Sequence, residues 1–354
     1  MYLVSLIEWL GENALITLGG FLLGGLFGWF AQRSRFCLRS AVITFSRRRF
    51  GGILAVWLFT FSAALLGTQV LILAGLLDVS QTKHLASAGS LSGSIIGGFL
   101  FGVGMILARG CSSRLLVLAA TGNLRALLSG LIFAVIAQMS LHGALSPLRD
   151  WLAGLWVITP EAGTSLLDLL GLPPWGGLAI GLPWLAAGLW FARRNRISPR
   201  LAAQSLAVGL VVALAWLFTY SMSISSFNII PVESLTFTGP SADTLMFLLE
   251  WPENPYDFDV GMVPGVFAGS FLAAWRAREL KLQGFEGAHS MKRYIAGAVL
   301  MGFGGMLAGG CAVGAGITGG SVLAVVGWAA LLAMWLGAML ADALIDAGGK
   351  PPAP

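Results

Sequence analysis

The stretch GVGMILARGC, residues 102–111, recurs 200 residues later as GFGGMLAGGC, residues 302–311. Six of the ten positions are identical, the two cysteines coincide, and a Thr-Gly pair follows each copy at 121–122 and 318–319. Each copy ends an apolar, glycine-rich segment. The match predicts an internal repeat, and the segments around it determine how the two copies are oriented.

The chain around these copies is too apolar for a water-soluble protein. Of its 354 residues, 57% are hydrophobic and 10% are charged, whereas soluble domains have about 25% charged residues. Residues 51–77 include no charged side chain, and residues 322–344 include only Asp342. A helix needs about 20 apolar residues to cross a hydrocarbon core. The sequence therefore predicts an all-α polytopic membrane protein and excludes a soluble domain, whose surface tolerates only small apolar patches.

Nine apolar segments are long enough to span a membrane, and they comprise residues 13–33, 52–77, 92–108, 124–145, 176–192, 204–220, 261–276, 293–308 and 322–345. The loops after segments one, three, five and seven are basic, and the loops after segments two, four and six are neutral or acidic. The sixth loop, residues 221–260, holds six acids and no Lys or Arg. By the positive-inside rule the basic loops are cytoplasmic. We therefore expect a periplasmic N-terminus and a cytoplasmic C-terminus.

The two repeat copies end segments three and eight, which run in opposite directions through the membrane under this charge pattern. The repeat is therefore predicted to be inverted. Many transporters are built from inverted repeats that meet at a substrate site near the midplane. We expect one transmembrane domain over 1–354, with a first inverted repeat at 13–146, a linker helix region at 147–200 and a second inverted repeat at 201–346. This organisation indicates a transporter or a channel.

The two repeated cysteines each precede a segment too short to cross the membrane, residues 112–120 after Cys111 and residues 312–318 after Cys311. We expect re-entrant half-helices whose N-termini point toward the membrane centre. Free N–H groups and partial positive charge make such N-termini an anion site.

A third cysteine, Cys37, follows the first segment, and its expected counterpart in the second half, residues 221–226, contains no cysteine. A thiol is a soft, polarizable and weakly donating group, which suits a large sulfur anion better than a hard oxyanion. Free cysteine is also a common small buried residue, and for any one cysteine alone that interpretation stays open.

No cofactor, metal site or catalytic residue is predicted. The sequence contains no GxxxxGK[ST] motif, and its three histidines, His84, His142 and His289, are too scattered for a metal site. Asp342 is the first carboxylate within a segment, and we interpret it as an interfacial residue rather than a proton or sodium coupling site.

At these motifs the chain resembles the YeeE/YedE membrane family, whose best-understood member is a bacterial thiosulfate transporter. The resemblance rests on residues 98–114 with their Arg-Gly-Cys, residues 302–320 with their Gly-Gly-Cys, and residues 35–37. It implies an hourglass-like bundle in the bacterial inner membrane that takes up thiosulfate through a narrow path. The thiols that line this path are then those of Cys37, Cys111 and Cys311, and the backbone N–H donors are those of Gly110, Ser112, Gly310 and Ala312.

Members of this family often work with a small cytoplasmic sulfur-carrier protein of the TusA type. The chain holds no such domain, and the basic loop at 33–49 is a candidate docking site, although positive-inside charge alone also explains that loop. Two other functions stay open. One is transport of a selenium compound or another small anion. The other is a membrane sulfurtransferase that forms a cysteine persulfide, because Arg109 and Arg114 beside Cys111 would favour its thiolate.

Overall fold

The computed structural model describes residues 10–80, 82–159, 163–226, 228–250, 256–284 and 288–346. Its regular structure is almost entirely helical. The two strands that it contains, β1 (Gly89–Ser90) and β2 (Val157–Ile158), have two residues each and form one antiparallel pair. The predicted all-α fold class is confirmed.

The helices of the first half, in chain order, are α1 (Glu12–Ser34), α2 (Leu38–Ser46), α3 (Gly52–Leu73), α4 (Lys83–Ala86), α5 (Leu91–Leu107), α6 (Ser112–Ala120), α7 (Leu124–Leu141), α8 (Ser146–Ala153), α9 (Leu166–Leu170) and α10 (Gly176–Arg194). Those of the second half are α11 (Pro199–Ser225), α12 (Thr238–Leu249), α13 (Phe258–Arg276), α14 (Ala288–Leu307), the π-helix π1 (Ala312–Thr318), α15 (Gly319–Ser321), α16 (Val325–Ala341) and the π-helix π2 (Asp342–Asp346).

Eight helical stretches among the described residues are long and apolar enough to cross a membrane, and they coincide with eight of the nine predicted segments. The remaining predicted segment, 176–192, forms the 19-residue helix α10. Pro183 within α10 and the arginines at its end make it less apolar than the other eight.

Helices of the first half pack against helices of the second half in a regular pattern. Helix α1 packs on α13 while α3 packs on α11, and α5 packs on α16 while α7 packs on α14. Helices α5 and α14, which carry the two repeat copies, also pack on each other. Two repeats related by a pseudo-two-fold axis would pair in this way. The division at 13–146 and 201–346 stays our prediction, and this pairing supports it.

Glycines make the α1–α13 contact unusually close. A Cβ atom added at Gly24 would lie 2.3 Å from the carbonyl oxygen of Met262, and one added at Gly269 would lie 1.9 Å from that of Gly25. Without side chains the two backbones meet directly, which is how membrane helices with small residues four apart associate.

A buried ion pair joins the end of α2 to the end of α16. Arg47 donates from Nε and Nη2 to the two carboxylate oxygens of Asp342 at 3.0 and 2.8 Å. The Asp342 side chain is only 3% exposed. Asp342 therefore has a structural partner at this end of the molecule.

Candidate functional site

Both repeat copies end in the same backbone turn. Arg109 and Gly309 adopt left-handed conformations, with φ of 56° and 76°, and each ends its helix. The next residue closes the turn by bonding back into the helix, Gly110 to the carbonyl of Met105 at 3.1 Å and Gly310 to that of Gly305 at 2.8 Å. The chain then starts a new short helix directly after each cysteine, as the sequence predicts.

These turns limit which backbone groups can serve an anion. The N–H groups of Gly110 and Gly310 already donate to carbonyls, so in this structure neither is available as the substrate donor that the resemblance implies. Ser112 and Ala312 occupy the first positions of α6 and π1, where a helix offers no internal acceptor for its N–H groups.

All three cysteines are buried free thiols that stand at the N-caps of short helices. The fold brings the side chains of Cys37 and Cys111 close enough to interact, although the two residues are 74 positions apart in the chain. The Sγ of Cys111 also lies 3.5 Å from the Oγ of Ser113. Cys311 caps its own helix, accepting a hydrogen bond from the N–H of Gly314 at 3.4 Å.

The segment that faces π1 is Ser234–Thr238 rather than the predicted residues 221–226. Helix α11 continues to Ser225, so residues 221–225 form its last turn and not a separate loop. Thr318 donates from Oγ1 to the carbonyl of Leu235 at 2.7 Å. A Cβ atom on Gly314 would lie 2.0 Å from the Oγ1 of Thr236. A threonine therefore lies beside π1, where the first half has Cys37 beside α6.

A cavity of about 810 Å³ leads to the Cys311 end of the site. Part of its wall is formed by residues that surround Cys311, namely Gly309, Gly310, Gly314 and Thr318. The charged and titratable residues that line it are Lys83, His84, Arg149, Asp150, Glu233, Asp243 and Asp259. We call it the acidic cavity, because four of these residues are carboxylates.

Comparison with known proteins identifies the family. The sequence model of the family described as Sulphur transport matches residues 33–340. The chain belongs to this family. It is 27% identical over 357 residues to "Thiosulfate transporter TsuA" of Escherichia coli (strain K12), covering 93% of this chain and 95% of that protein. It is 28% identical over 334 residues to "Thiosulfate transporter TsuA" of Spirochaeta thermophila, covering 90% of this chain and 96% of that protein.

Membership of the Sulphur transport family confirms the resemblance to the YeeE/YedE proteins. It also makes the chain a membrane transporter rather than an enzyme, as predicted.

Burial shifts the titration of several groups at the acidic cavity of this transporter. Desolvation, followed by the charge of Asp257, raises the pKa of Glu233 to about 7 and that of Asp243 to about 6. Desolvation also raises the pKa of Asp257. The pKa of His84 falls to about 4 because of burial and the nearby Lys83. Near neutral pH the cavity therefore takes up protons on carboxyl groups, while His84 stays neutral.

At Cys111 a different set of polar residues gathers, consisting of Arg114, Gln32 and Glu279. Arg114 donates from Nη1 to the Oε1 of Gln32 at 3.4 Å, and Gln32 donates from Nε2 to the Oε2 of Glu279 at 3.0 Å. Neither Gln32 nor Glu279 is predicted from the sequence to belong to the site. Gln32 could have been found from the sequence, because it is a polar amide at the end of an otherwise apolar segment.

Proposed function

We propose that the chain takes up thiosulfate, or a closely related sulfur anion, across the bacterial inner membrane through a path lined by Cys37, Cys111 and Cys311. The observation that carries this proposal is the placement of three buried thiols, each at the N-cap of a short helix. Two relatives named thiosulfate transporters, aligned over nearly the whole chain, support the choice of substrate.

The chemistry of these positions suits a soft divalent anion. A helix N-terminus has about half a positive charge and unsatisfied N–H groups, and Ser112 and Ala312 supply such groups beside Cys111 and Cys311. The thiols offer weak S–H donors and polarizable sulfur where a hydroxyl would favour a harder oxygen ligand. The anion can therefore exchange its hydration shell for thiol and backbone donors in steps.

The proposed orientation assigns the two ends of the path. With the N-terminus periplasmic, the acidic cavity opens to the periplasm, because its charged residues come from loops that the charge pattern places outside. The Arg114 end then faces the cytoplasm. The inverted repeat over 13–146 and 201–346, joined by 147–200, relates the half-helices α6 and π1 across the membrane.

A cytoplasmic sulfur carrier of the TusA type is a further element of this proposal. Within the basic segment 33–49, four arginines are exposed, namely Arg33, Arg35, Arg48 and Arg49. Arg47 is engaged with Asp342. The exposed guanidinium groups lie at the end of the path where the anion would leave, which is where a carrier would collect its sulfur.

The test is growth on thiosulfate as sole sulfur source in a bacterium that lacks its own sulfate and thiosulfate importers. We expect the intact protein to support growth and Cys111→Ala and Cys311→Ala to abolish it at equal membrane expression. Ser62→Ala is the matched control, since it removes a buried polar atom that bonds only within its own helix, to the carbonyl of Phe59 at 3.2 Å. If growth survives both cysteine substitutions, the thiols serve only in packing and not in transport. Competition by selenium oxyanions would separate a selenium transporter from a thiosulfate transporter.

A further inference from the structure

The repeat breaks its own symmetry three residues after each cysteine. Aligning Cys111 with Cys311 places Arg114 opposite Gly314. At Gly314 there is no space for a side chain, because Thr236 occupies it. At this position π1 therefore offers only backbone, whereas α6 carries the positive charge of Arg114.

The guanidinium of Arg114 lies within electrostatic range of the thiols of both Cys37 and Cys111. Arg35 and Glu279 are the other charged groups that act on it. An arginine within a membrane-spanning stretch is costly to insert and marks ion pathways. Its position next to the paired thiols, rather than at a lipid-facing surface, fits such a pathway.

The neighbours of Arg114 hold its guanidinium in place without neutralising it. Its hydrogen bond goes to the neutral amide of Gln32, which is only 7% exposed. That amide is fixed in turn by Glu279. Among the described residues, no carboxylate lies within salt-bridge distance of Arg114. The charge therefore remains available for an anion.

We infer that Arg114 binds the transported anion at the Cys37–Cys111 pair and selects for its double negative charge. This inference rests on the proposed function. The planar guanidinium offers parallel N–H donors to an oxyanion, while the two thiols face the soft terminal sulfur. A thiosulfate ion carries three oxygens at one end and a terminal sulfur at the other. Arg114 would bind the oxygens, and Cys37 and Cys111 would contact the sulfur.

The experiment measures thiosulfate uptake into proteoliposomes by the intact protein and by Arg114→Gln, Arg114→Lys and Arg200→Gln. Arg200 is the matched control, because it is an exposed arginine in the first turn of α11 and lies outside the basic segment 33–49. We expect Arg114→Gln to raise KM at least tenfold, equivalent to about 1.4 kcal/mol. Arg114→Lys keeps the charge but loses the parallel N–H donors, so its KM should lie between those of Arg114→Gln and the intact protein. Arg200→Gln should match the intact protein.

A second measurement separates anion binding from a general loss of structure. Methanethiosulfonate carries the same terminal sulfur as thiosulfate but only one negative charge, so its competition against thiosulfate reports charge selection. Arg114→Gln should lose most of the preference for thiosulfate over methanethiosulfonate. A damaged fold would instead weaken the binding of both anions to the same extent.

Normal uptake by Arg114→Gln, or an unchanged preference between the two anions, overturns the inference while the proposed function stands. Failure of the folded intact protein to take up thiosulfate overturns both.

Discussion

Uptake should accelerate as the external pH falls from 8 to 6, because the acidic cavity loses negative charge over that range. The pKa of Glu233 is about 7 and that of Asp243 about 6. Each is raised above its ordinary value, so each carboxyl holds its proton at a higher pH than it would in water. At pH 8 about a tenth of Glu233 is protonated, and at pH 6 about nine tenths. A divalent anion in the cavity then meets less repulsion.

The size of this effect follows from Coulomb's law. One carboxylate at roughly 8 Å from a divalent anion costs about 1 kcal/mol in water, which is about fivefold in occupancy. Physiological salt, with a Debye length of about 8 Å, reduces this to about twofold. Because the protonated fraction of Glu233 changes only from about a tenth to about nine tenths, we expect Glu233 alone to give about a threefold rise in uptake at low ionic strength and a rise of less than about twofold at physiological salt.

The charged groups near these carboxyls do not reverse the direction in which uptake changes with pH. Glu233 is influenced by Asp257, Lys83 and Asp243. Asp243 is influenced by Asp257, by Lys83 and also by His142. Acidification also removes negative charge from Asp243 and Asp257, whose pKa values are raised as well, so these acids add to the effect of Glu233.

The assay is thiosulfate uptake into proteoliposomes with a fixed internal pH and an external pH between 5.5 and 8.5. Glu233→Gln should be faster than the intact protein at pH 8 and should lose the part of the pH dependence centred near 7. Asp168→Asn serves as the control, because Asp168 is exposed and lies outside the cavity. A flat pH profile for the intact protein, or full pH dependence in Glu233→Gln, would refute the reasoning.

Two further predictions concern stability, measured as thermal unfolding of the protein in detergent. Asp342→Asn should lower the stability by about 3 kcal/mol, because it removes one charge of a largely buried ion pair that Arg47 makes with both carboxylate oxygens. Restoration of stability by removing Arg47 as well would confirm the pairing, and a neutral single variant would contradict it. Gly269→Ala should cost about 1–3 kcal/mol through overpacking against the backbone of Gly25. Gly130→Ala, a helical site with nothing within 4 Å of the added Cβ, should be neutral or stabilising, and equal effects at the two sites would refute the close-packing argument.

The sequence predicted those features that depend on local pattern. The alternating loop charge and the 200-residue repeat were enough to place the membrane segments and the short helices after Cys111 and Cys311. All of these arise from periodicity or from backbone geometry near the residue concerned. The turn at Gly110 illustrates the limit, because the family resemblance implies a free N–H there, yet that group donates to the carbonyl of Met105 in the preceding helix.

The features that sequence could not supply depend on tertiary contacts. Arg114 and Gln32 are 82 positions apart, and no periodicity links them. From the sequence, the acids of residues 221–260 belong to a loop between two membrane segments. In the structure Glu233 and Asp243 line the cavity beside Cys311. Burial within that fold, not their sequence context, raises the pKa of both.

The glycine contact between α1 and α13 has a consequence for how this protein is made. Helix α1 leaves the ribosome more than 200 residues before α13 is complete, and at about 5–20 residues per second the interval is roughly 10–45 seconds. Throughout that time the trough formed by Gly24 and Gly28 lacks the helix that fills it in the folded protein. A nascent chain arrested midway therefore leaves this close-packing surface uncovered, where the insertion machinery and membrane proteases can reach it.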